Sequence, residues 1–254
     1  MVKRFGKVGI CALVVLLVGA GSAAALRLTL GNVVVVTDGG FTPTTLPKQH
    51  YAPIKLHGYG KISTTDGKTP PILETITLWF DKHGEVVTKG LPICTPGKLA
   101  ATTPDVARKN CRGAIVGTGY GTAVVNFPEQ RPIMASSPIT LFNGPRKHGN
   151  PTVLAHAYLS VPAPTTYIVP VEIQRVHDGR YGFKTEARIP RIAGGAGTPL
   201  YGRLKIGREW IYKGKRLSYA NASCADGRLQ GKGQFSFKDG TLLEGEIIKP
   251  CTGK

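Results

Sequence analysis

Acidic residues are scarce in this sequence, and the short motifs of several common enzyme classes are missing. Asp and Glu together number 15, against 33 Lys and Arg. Cys-x-x-Cys, His-Glu-x-x-His and Gly-x-Ser-x-Gly do not occur, which argues against thiol redox, zinc peptidase and common serine hydrolase chemistry. The six histidines show no short ligand spacing. We therefore predict neither a metal site nor a cofactor.

Turns account for most of the aspartates. Asp-Gly favours a turn because Asp can bond to its own backbone and Gly tolerates a positive φ. Five of the seven aspartates precede glycine: Asp38, Asp66, Asp178, Asp226 and Asp239. The other two are Asp81, beside a turn, and Asp105, at a predicted helix start. An enzyme with this sequence would have to rely mainly on Glu.

The first 25 residues have the three-part pattern of a secretory signal peptide. A positive head of Lys3, Arg4 and Lys7 precedes an apolar segment at 8–18 and a small-residue tail at 19–25. We expect cleavage near Ala23–Ala25, which leaves one large exported region, residues 26–254. The alternative is an uncleaved anchor, because 19 residues from position 8 carry no charge and roughly 20 span a bilayer.

Strand-like alternation fills the chain after residue 26. The segments are bounded by Gly, Pro and Asp, and the sequence holds 33 Gly and 19 Pro. We predict an all-β fold of mostly antiparallel strands, arranged as a sandwich or a barrel. A Gly-rich break at 194–198 marks a possible subdivision. The run 33–36 predicts a strand that ends at Asp38-Gly39.

One segment of alternation separates charged from apolar residues clearly. Ile54, Leu56 and Ile62 fall on one face of the predicted strand. The other face carries Lys55, His57, Tyr59 and Lys61. Further along, Gly117, Gly119 and Gly121 imitate a dinucleotide fingerprint, but Thr122 replaces the third glycine and apolar residues follow, so we interpret them as a Gly-containing strand or bulge.

A single short helix is predicted near 103–111. Thr103 can cap it, Pro104 suits its first position and Asp105 favours its positive end. Arg108, Lys109 and Arg112 lie at its other end. The helix would carry Cys111 back toward Cys94.

The strand register of the last hairpin can be predicted from its turn. With Gly240 in the left-handed position of a three-residue loop, Phe235 faces Leu243 and Lys232 faces Glu246. The same register brings Cys251 near Cys224. Four cysteines of an exported chain allow three pairings, and we predict the sequential one: Cys94–Cys111 and Cys224–Cys251.

The formal net charge of +18 favours anionic neighbours. The basic residues are spread along the chain rather than clustered, so we expect no specific nucleic-acid binding. An anionic wall polymer or a membrane surface is the expected partner, and the oligomeric state stays open. An exposed aromatic platform could be built from Tyr59, Trp79, Trp210, Tyr212 and Tyr219, but aromatic residues favour strands, so we expect each of them to pack in the core or across strands.

Five stretches of sequence carry a family resemblance. They are Lys61-Ile-Ser-Thr-Thr-Asp-Gly-Lys-Thr-Pro-Pro71, Gly90-Leu-Pro-Ile-Cys94, Cys111-Arg-Gly-Ala-Ile-Val-Gly117, Leu141-Phe-Asn-Gly144 and Lys249-Pro-Cys251. In these the chain resembles a group of uncharacterised exported proteins of high-GC Gram-positive bacteria. The resemblance implies export, and it transfers no activity, ligand or catalytic residue.

Three functions follow as hypotheses. The leading one is an exported, disulfide-stapled, non-catalytic binding or structural protein for anionic envelope components. The second is a hydrolase of envelope polysaccharide or lipid, with Glu244, Glu246, His156 and Asp81 as the acid–base candidates. The third is a carrier that encloses a small apolar ligand. We assign no catalytic, cofactor or metal residue.

Overall fold

A computed structural model describes residues 25–254 of the chain. Residues 1–24 of the predicted signal peptide 1–25, and with them two of its three candidate cleavage positions Ala23–Ala25, lie outside the described residues. From residue 25 onward, the chain contains no helix long and apolar enough to cross a membrane.

The chain forms nineteen strands, two short α-helices and two 3-10 turns, at Arg112–Ala114 and Ile192–Gly195, over the described range. The long strands are β1 (Leu26–Leu30), β2 (Val33–Thr42), β5 (Lys55–Thr64), β6 (Leu73–Asp81), β8 (Ile115–Val125), β9 (Ile133–Lys147), β10 (Asn150–Leu159), β11 (Thr165–Asp178), β12 (Tyr181–Arg188), β13 (Gly197–Ile206), β17 (Arg228–Phe237) and β18 (Leu242–Pro250). The short elements are β3 (Thr45–Leu46), β4 (Ala52–Pro53), β7 (Gly84–Val86), α1 (Pro96–Leu99), α2 (Pro104–Asn110), β14 (Glu209–Tyr212), β15 (Lys215–Ser218), β16 (Ala220–Ala222) and β19 (Thr252–Gly253).

Twelve strands form one antiparallel sheet that nearly closes on itself like a barrel. Its order is β1-β2-β5-β13-β8-β9-β10-β11-β12-β6-β17-β18. The two edge strands meet at a seam, where the side chains of Leu26 and Leu28 lie over Gly245. A Cβ at Gly245 would be only 2.6 Å from Leu26, so glycine permits this close approach. The all-β, antiparallel prediction is confirmed.

Alternation decides which side chains fill the interior. Near one end, Val33 and Val35 of β2 pack against Phe235 of β17 and Leu243 of β18, from the other side of the seam. Further along, Val116, Leu141, Val153, Ile173 and Phe183 from five strands pack around Tyr219. The interior is therefore an apolar core built by the inward-pointing side chains of these strands.

Short strands and a disulfide close the other end of the sheet. Phe41, Leu46 and Ile54 pack there against Cys224 and Cys251. Cys251 bonds to Cys224, and its amide donates to the carbonyl of Gly227 at 2.9 Å. This pairing and the predicted register of the last hairpin, Phe235 with Leu243 and Lys232 with Glu246, are confirmed.

The two helices lie on the outer wall of the sheet rather than inside it. Leu99 of α1 and Ala107 of α2 pack on Phe142 of β9 and Leu154 of β10. The predicted disulfide between Cys94 and Cys111, 17 residues apart, is confirmed and joins the two ends of this segment. We call α1, α2 and the linker between them, residues 96–110, the helical cover.

Three local features differ from expectation. Strand β2 continues through Asp38-Gly39 to Thr42, because the pairing with β5 runs on to Lys55. A second helix, α1, precedes the predicted one. Thr103 occupies the N-cap position of α2, but its side chain makes no capping hydrogen bond.

The buried hydroxyl of Tyr219 gives a first stability prediction. It has no hydrogen-bond partner among the described residues, and burial raises the pKa of Tyr219. Because an unpaired buried hydroxyl contributes a desolvation cost, we expect Tyr219→Phe to leave the free energy of unfolding unchanged or to raise it by up to about 1 kcal/mol. Tyr219→Ala should lower it by about 3 kcal/mol or more through lost packing. Urea unfolding of both variants tests this, and a marked loss in Tyr219→Phe would contradict it.

Candidate functional site

Strand β5 places a row of polar side chains on the outer wall. Lys55, His57, Tyr59 and Lys61 are all exposed, as alternation predicts. Ile54 and Ile62, on the other face, are buried. Residues two apart on one strand lie about 6.8 Å from each other, so this row is about 20 Å long.

Two neighbouring strands extend this row into a surface. The register of β13 on β5 places Arg203 opposite Tyr59, Tyr201 opposite Lys61, and Lys205 opposite His57. On its other side β13 pairs with β8, which puts Tyr120 opposite Arg203. We define the basic face by eight residues of these strands: Lys55, His57, Tyr59, Lys61, Tyr120, Tyr201, Arg203 and Lys205.

Glycines on β8 allow the strands of the basic face to lie close together. A Cβ on Gly119 would be 2.3 Å from the carbonyl oxygen of Arg203, and one on Gly117 would be 2.4 Å from that of Lys205. The glycine series that resembles a dinucleotide fingerprint is therefore part of a strand, with a bulge between Ile115 and Gly117. The prediction of a Gly-containing strand or bulge is confirmed.

The cations of the basic face are not neutralised by any side chain of the described part of the protein. Over residues 25–254, Lys55, Lys61, Arg203 and Lys205 have no carboxylate within ion-pair distance. The acid next to the face is Asp38, opposite Tyr59, and Lys249 binds it at 2.7 Å across the seam. Unpaired cations on one wall produce a positive potential that attracts anions.

Aromatic rings lie between these cations. The rings of Tyr59 and Tyr201 are 6.4 Å apart between centroids. The guanidinium of Arg203 lies 5.8 Å from the centre of the Tyr120 ring, within cation–π distance. Tyr59 is 37% exposed. The face can therefore offer a charge-assisted hydrogen bond and a flat apolar surface to the same ligand.

The carboxylates proposed for hydrolysis lie in ordinary sheet environments. Glu244 is half-exposed and pairs with Lys232 at 3.6 Å. Glu246 accepts hydrogen bonds from the Tyr181 hydroxyl at 2.5 Å and the Gln230 amide at 2.8 Å. Burial, and next the bond to Glu246, raise the pKa of Tyr181. Both glutamates are therefore already bound by other side chains of the protein.

Asp81 is the centre of a buried hydrogen-bond network. Its Oδ2 accepts from Nε of Arg180 at 2.7 Å and from the backbone of Gln230 at 2.8 Å. Its Oδ1 accepts from the backbone amide of His83 at 2.9 Å. Nδ1 of the His83 ring lies 3.0 Å from the same oxygen but without the alignment of a hydrogen bond. Arg180 also binds Asp226, and that hydrogen bond lowers the pKa of Asp226 to about 2. The network links three strand ends and leaves Asp81 only 5% exposed.

The four acid–base candidates do not form one site. Tyr181 and Gln230 connect Asp81 with Glu246, but His156 lies on another part of the wall, under the helical cover. None of the four candidates lines either of two surface depressions of about 490 and 540 Å³. No group of three metal-binding side chains occurs within residues 25–254.

Most of the candidate aromatic residues are used for packing, as expected. Trp79 lies between Lys184 and Lys232, whose amino groups are 5.3 and 4.2 Å from its ring centre. Trp210 packs into the core and donates to the carbonyl of Lys89 at 3.1 Å. Tyr219 is buried, and the Tyr212 ring lies against Gly90. Tyr59 is the member of the candidate set that belongs to the basic face.

Comparison with known proteins identifies no relative from which a function could be transferred. No family model, no curated protein and no solved structure matches the chain. The functional proposal therefore depends on the geometry described above.

Proposed function

We propose that this protein is exported and binds an anionic, ring-containing polymer of the cell envelope through its basic face, without catalysis. The observation that carries the proposal is the alternation of unpaired cations with aromatic rings on one wall. Lys61 stands opposite Tyr201, and Arg203 stands between Tyr59 and Tyr120. Such a surface matches a chain in which negative charges alternate with sugar or other ring groups.

Two features support export. The structure contains two disulfides, which are compatible with an extracellular protein. The N-terminal signal pattern and the resemblance to exported proteins of high-GC Gram-positive bacteria point the same way. The cell surface is therefore the proposed location.

The composition of the basic face favours a polymer over a lipid bilayer. Apolar side chains that enter a bilayer must project from the surface that docks. The most exposed ones, Ile211 and Met134, belong to strands β14 and β9 and not to the basic face. The face instead extends along three strands, which suits an elongated ligand that makes many weak contacts.

Charge reversal on the basic face should weaken binding strongly. We expect the double variant Lys61→Glu/Arg203→Glu to bind purified cell wall at least about tenfold more weakly than the wild type at low salt, because two attractive contacts become repulsive. Co-sedimentation of the mature protein with purified wall, at several salt concentrations, measures this. Tyr59→Ala should also weaken binding but leave the salt dependence unchanged, since it removes ring contact without charge.

Lys109→Glu/Lys238→Glu is the matched control, because both residues are exposed cations outside the basic face. It changes the net charge by the same amount and should retain most of the wall binding. Equal losses in the two double variants would mean that only net charge matters and would contradict a defined site. Retention on anionic vesicles but not on wall would assign the face to a membrane instead.

A further inference from the structure

A histidine is fully buried beneath the helical cover. His156 of β10 is 0% exposed. On the sheet it lies between Thr140 of β9 and Ile168 of β11. The linker between α1 and α2 crosses above it, and Thr102 of this linker contacts its ring. The ring therefore joins the cover to the outer wall.

The hydrogen bonds around the ring define where its proton lies. The Thr102 hydroxyl donates to the carbonyl of Leu99 at 2.7 Å, so its oxygen is left to accept from Nε2 of His156 at 3.1 Å. The carbonyl of Thr102, also 3.1 Å from Nε2, can only accept. Nε2 therefore carries the proton of the neutral ring. Nδ1 is buried and has no partner among the described residues.

We propose that the helical cover is an acid-sensitive flap, which opens when His156 takes up a second proton at Nδ1. The closed form offers that proton no acceptor from another residue and keeps the resulting cation away from water. A buried, unpaired cation is strongly unfavourable. Opening the cover lets water reach the ring, while the Cys94–Cys111 bond keeps the opened segment as a closed loop.

The charged groups around His156 favour opening as well. Arg108 of α2 is the nearby cation, and it is paired with Asp105 on the surface of the same helix. From the neighbouring strands, Thr140 and Ile168 face the ring, and neither can be ionised in this range. Burial lowers the pKa of His156 in the closed form below its ordinary 6.5; the hydrogen bonds of the ring to the backbone of Thr102 and of His156 itself oppose this effect, and Arg108 assists it.

The sign of the pH effect follows from that lowered pKa. The open form binds more protons than the closed form, so the closed cover is most stable above pH 6.5 and loses stability as the pH falls toward the lowered pKa. The opening equilibrium can increase by at most about tenfold for each pH unit below 6.5. The proposal goes beyond polymer binding and does not depend on it.

Hydrogen exchange of the cover at two pH values tests the flap. In the mature, disulfide-intact protein we expect protection of the amides in residues 96–110, corrected for intrinsic exchange, to fall at least about threefold from pH 7.5 to pH 5.0. His156→Gln can still donate to Thr102 but cannot titrate, so its protection should stay constant. His50→Gln, at an exposed histidine outside both the basic face and the helical cover, should show the same pH dependence of protection as the wild type.

Two results would overturn the proposal. One is the same pH dependence in His156→Gln as in the wild type, and the other is constant protection of the wild-type cover between pH 7.5 and 5.0. If His156→Gln fails to fold, NMR titration of the wild-type ring replaces it. The His156 ring should then titrate below 6.5 together with the loss of protection, and an ordinary pKa in a closed cover would refute the flap.

Discussion

Asp81→Asn should destabilise the protein by about 3 kcal/mol, because it removes the charge from a buried ion pair. The amide would present a donor to Arg180 or to the two backbone amides that the carboxylate now satisfies. The shape of the side chain is almost unchanged, so the loss would report electrostatics rather than packing. Urea unfolding at neutral pH, followed by circular dichroism, measures the difference in free energy.

Asp105→Asn is the matched control for this change. Asp105 also pairs with an arginine, Arg108, but its side chain is 90% exposed. Exposed pairs contribute little, so we expect a loss of less than about 0.5 kcal/mol. Similar losses for the two variants would contradict the importance of burial. An unchanged stability of Asp81→Asn would mean that Arg180 finds another acceptor.

Removal of the Cys224–Cys251 bond should have an effect of similar size. The bond closes a loop over 27 residues, which the chain-entropy model converts to about 3.5 kcal/mol of stability. We therefore expect Cys224→Ala/Cys251→Ala to unfold at clearly lower urea concentration than the wild type. The short parallel pair β19 and β3 should also lose protection from hydrogen exchange, because the bond holds the C-terminal residues against Leu46.

A comparison within one protein separates the bond from the packing of its sulfur atoms. The wild type, unfolded with and without reductant, keeps both cysteines and changes only the covalent link, although reduction also opens Cys94–Cys111. Unfolding of the variant Cys94→Ala/Cys111→Ala with and without reductant therefore isolates the contribution of the Cys224–Cys251 bond. A loss below about 1 kcal/mol from opening Cys224–Cys251 would contradict the loop-entropy account.

Local patterns predicted a large part of the fold. The register of the last hairpin followed from Gly240 and the pairing of Phe235 with Leu243, because a tight turn and a half-buried face leave one register. Four of the five Asp-Gly pairs lie in turns with a positive φ at glycine. Asp38-Gly39 was predicted wrongly, because pairing to β5 keeps it extended.

The candidate site was only partly predictable. The exposed row of β5 was visible in the sequence, since each strand shows its own inward and outward faces. Arg203 and Tyr120 could not be connected with Tyr59, because no local signal specifies that β13 inserts between β5 and β8. For the same reason the partners of Asp81, which come from residues about 100 and 150 positions away in the chain, were not foreseen.

The sequence by itself determined the all-β class, the helix near 103–111 and both disulfide pairings, because turns, alternation and short loops act between residues close along the chain. Tertiary structure alone decided the order of the twelve strands, and with it the basic face and the position of His156 beneath the helical cover. The physical reason is that strand order depends on packing between distant segments. Period-two alternation is the same for every possible neighbour.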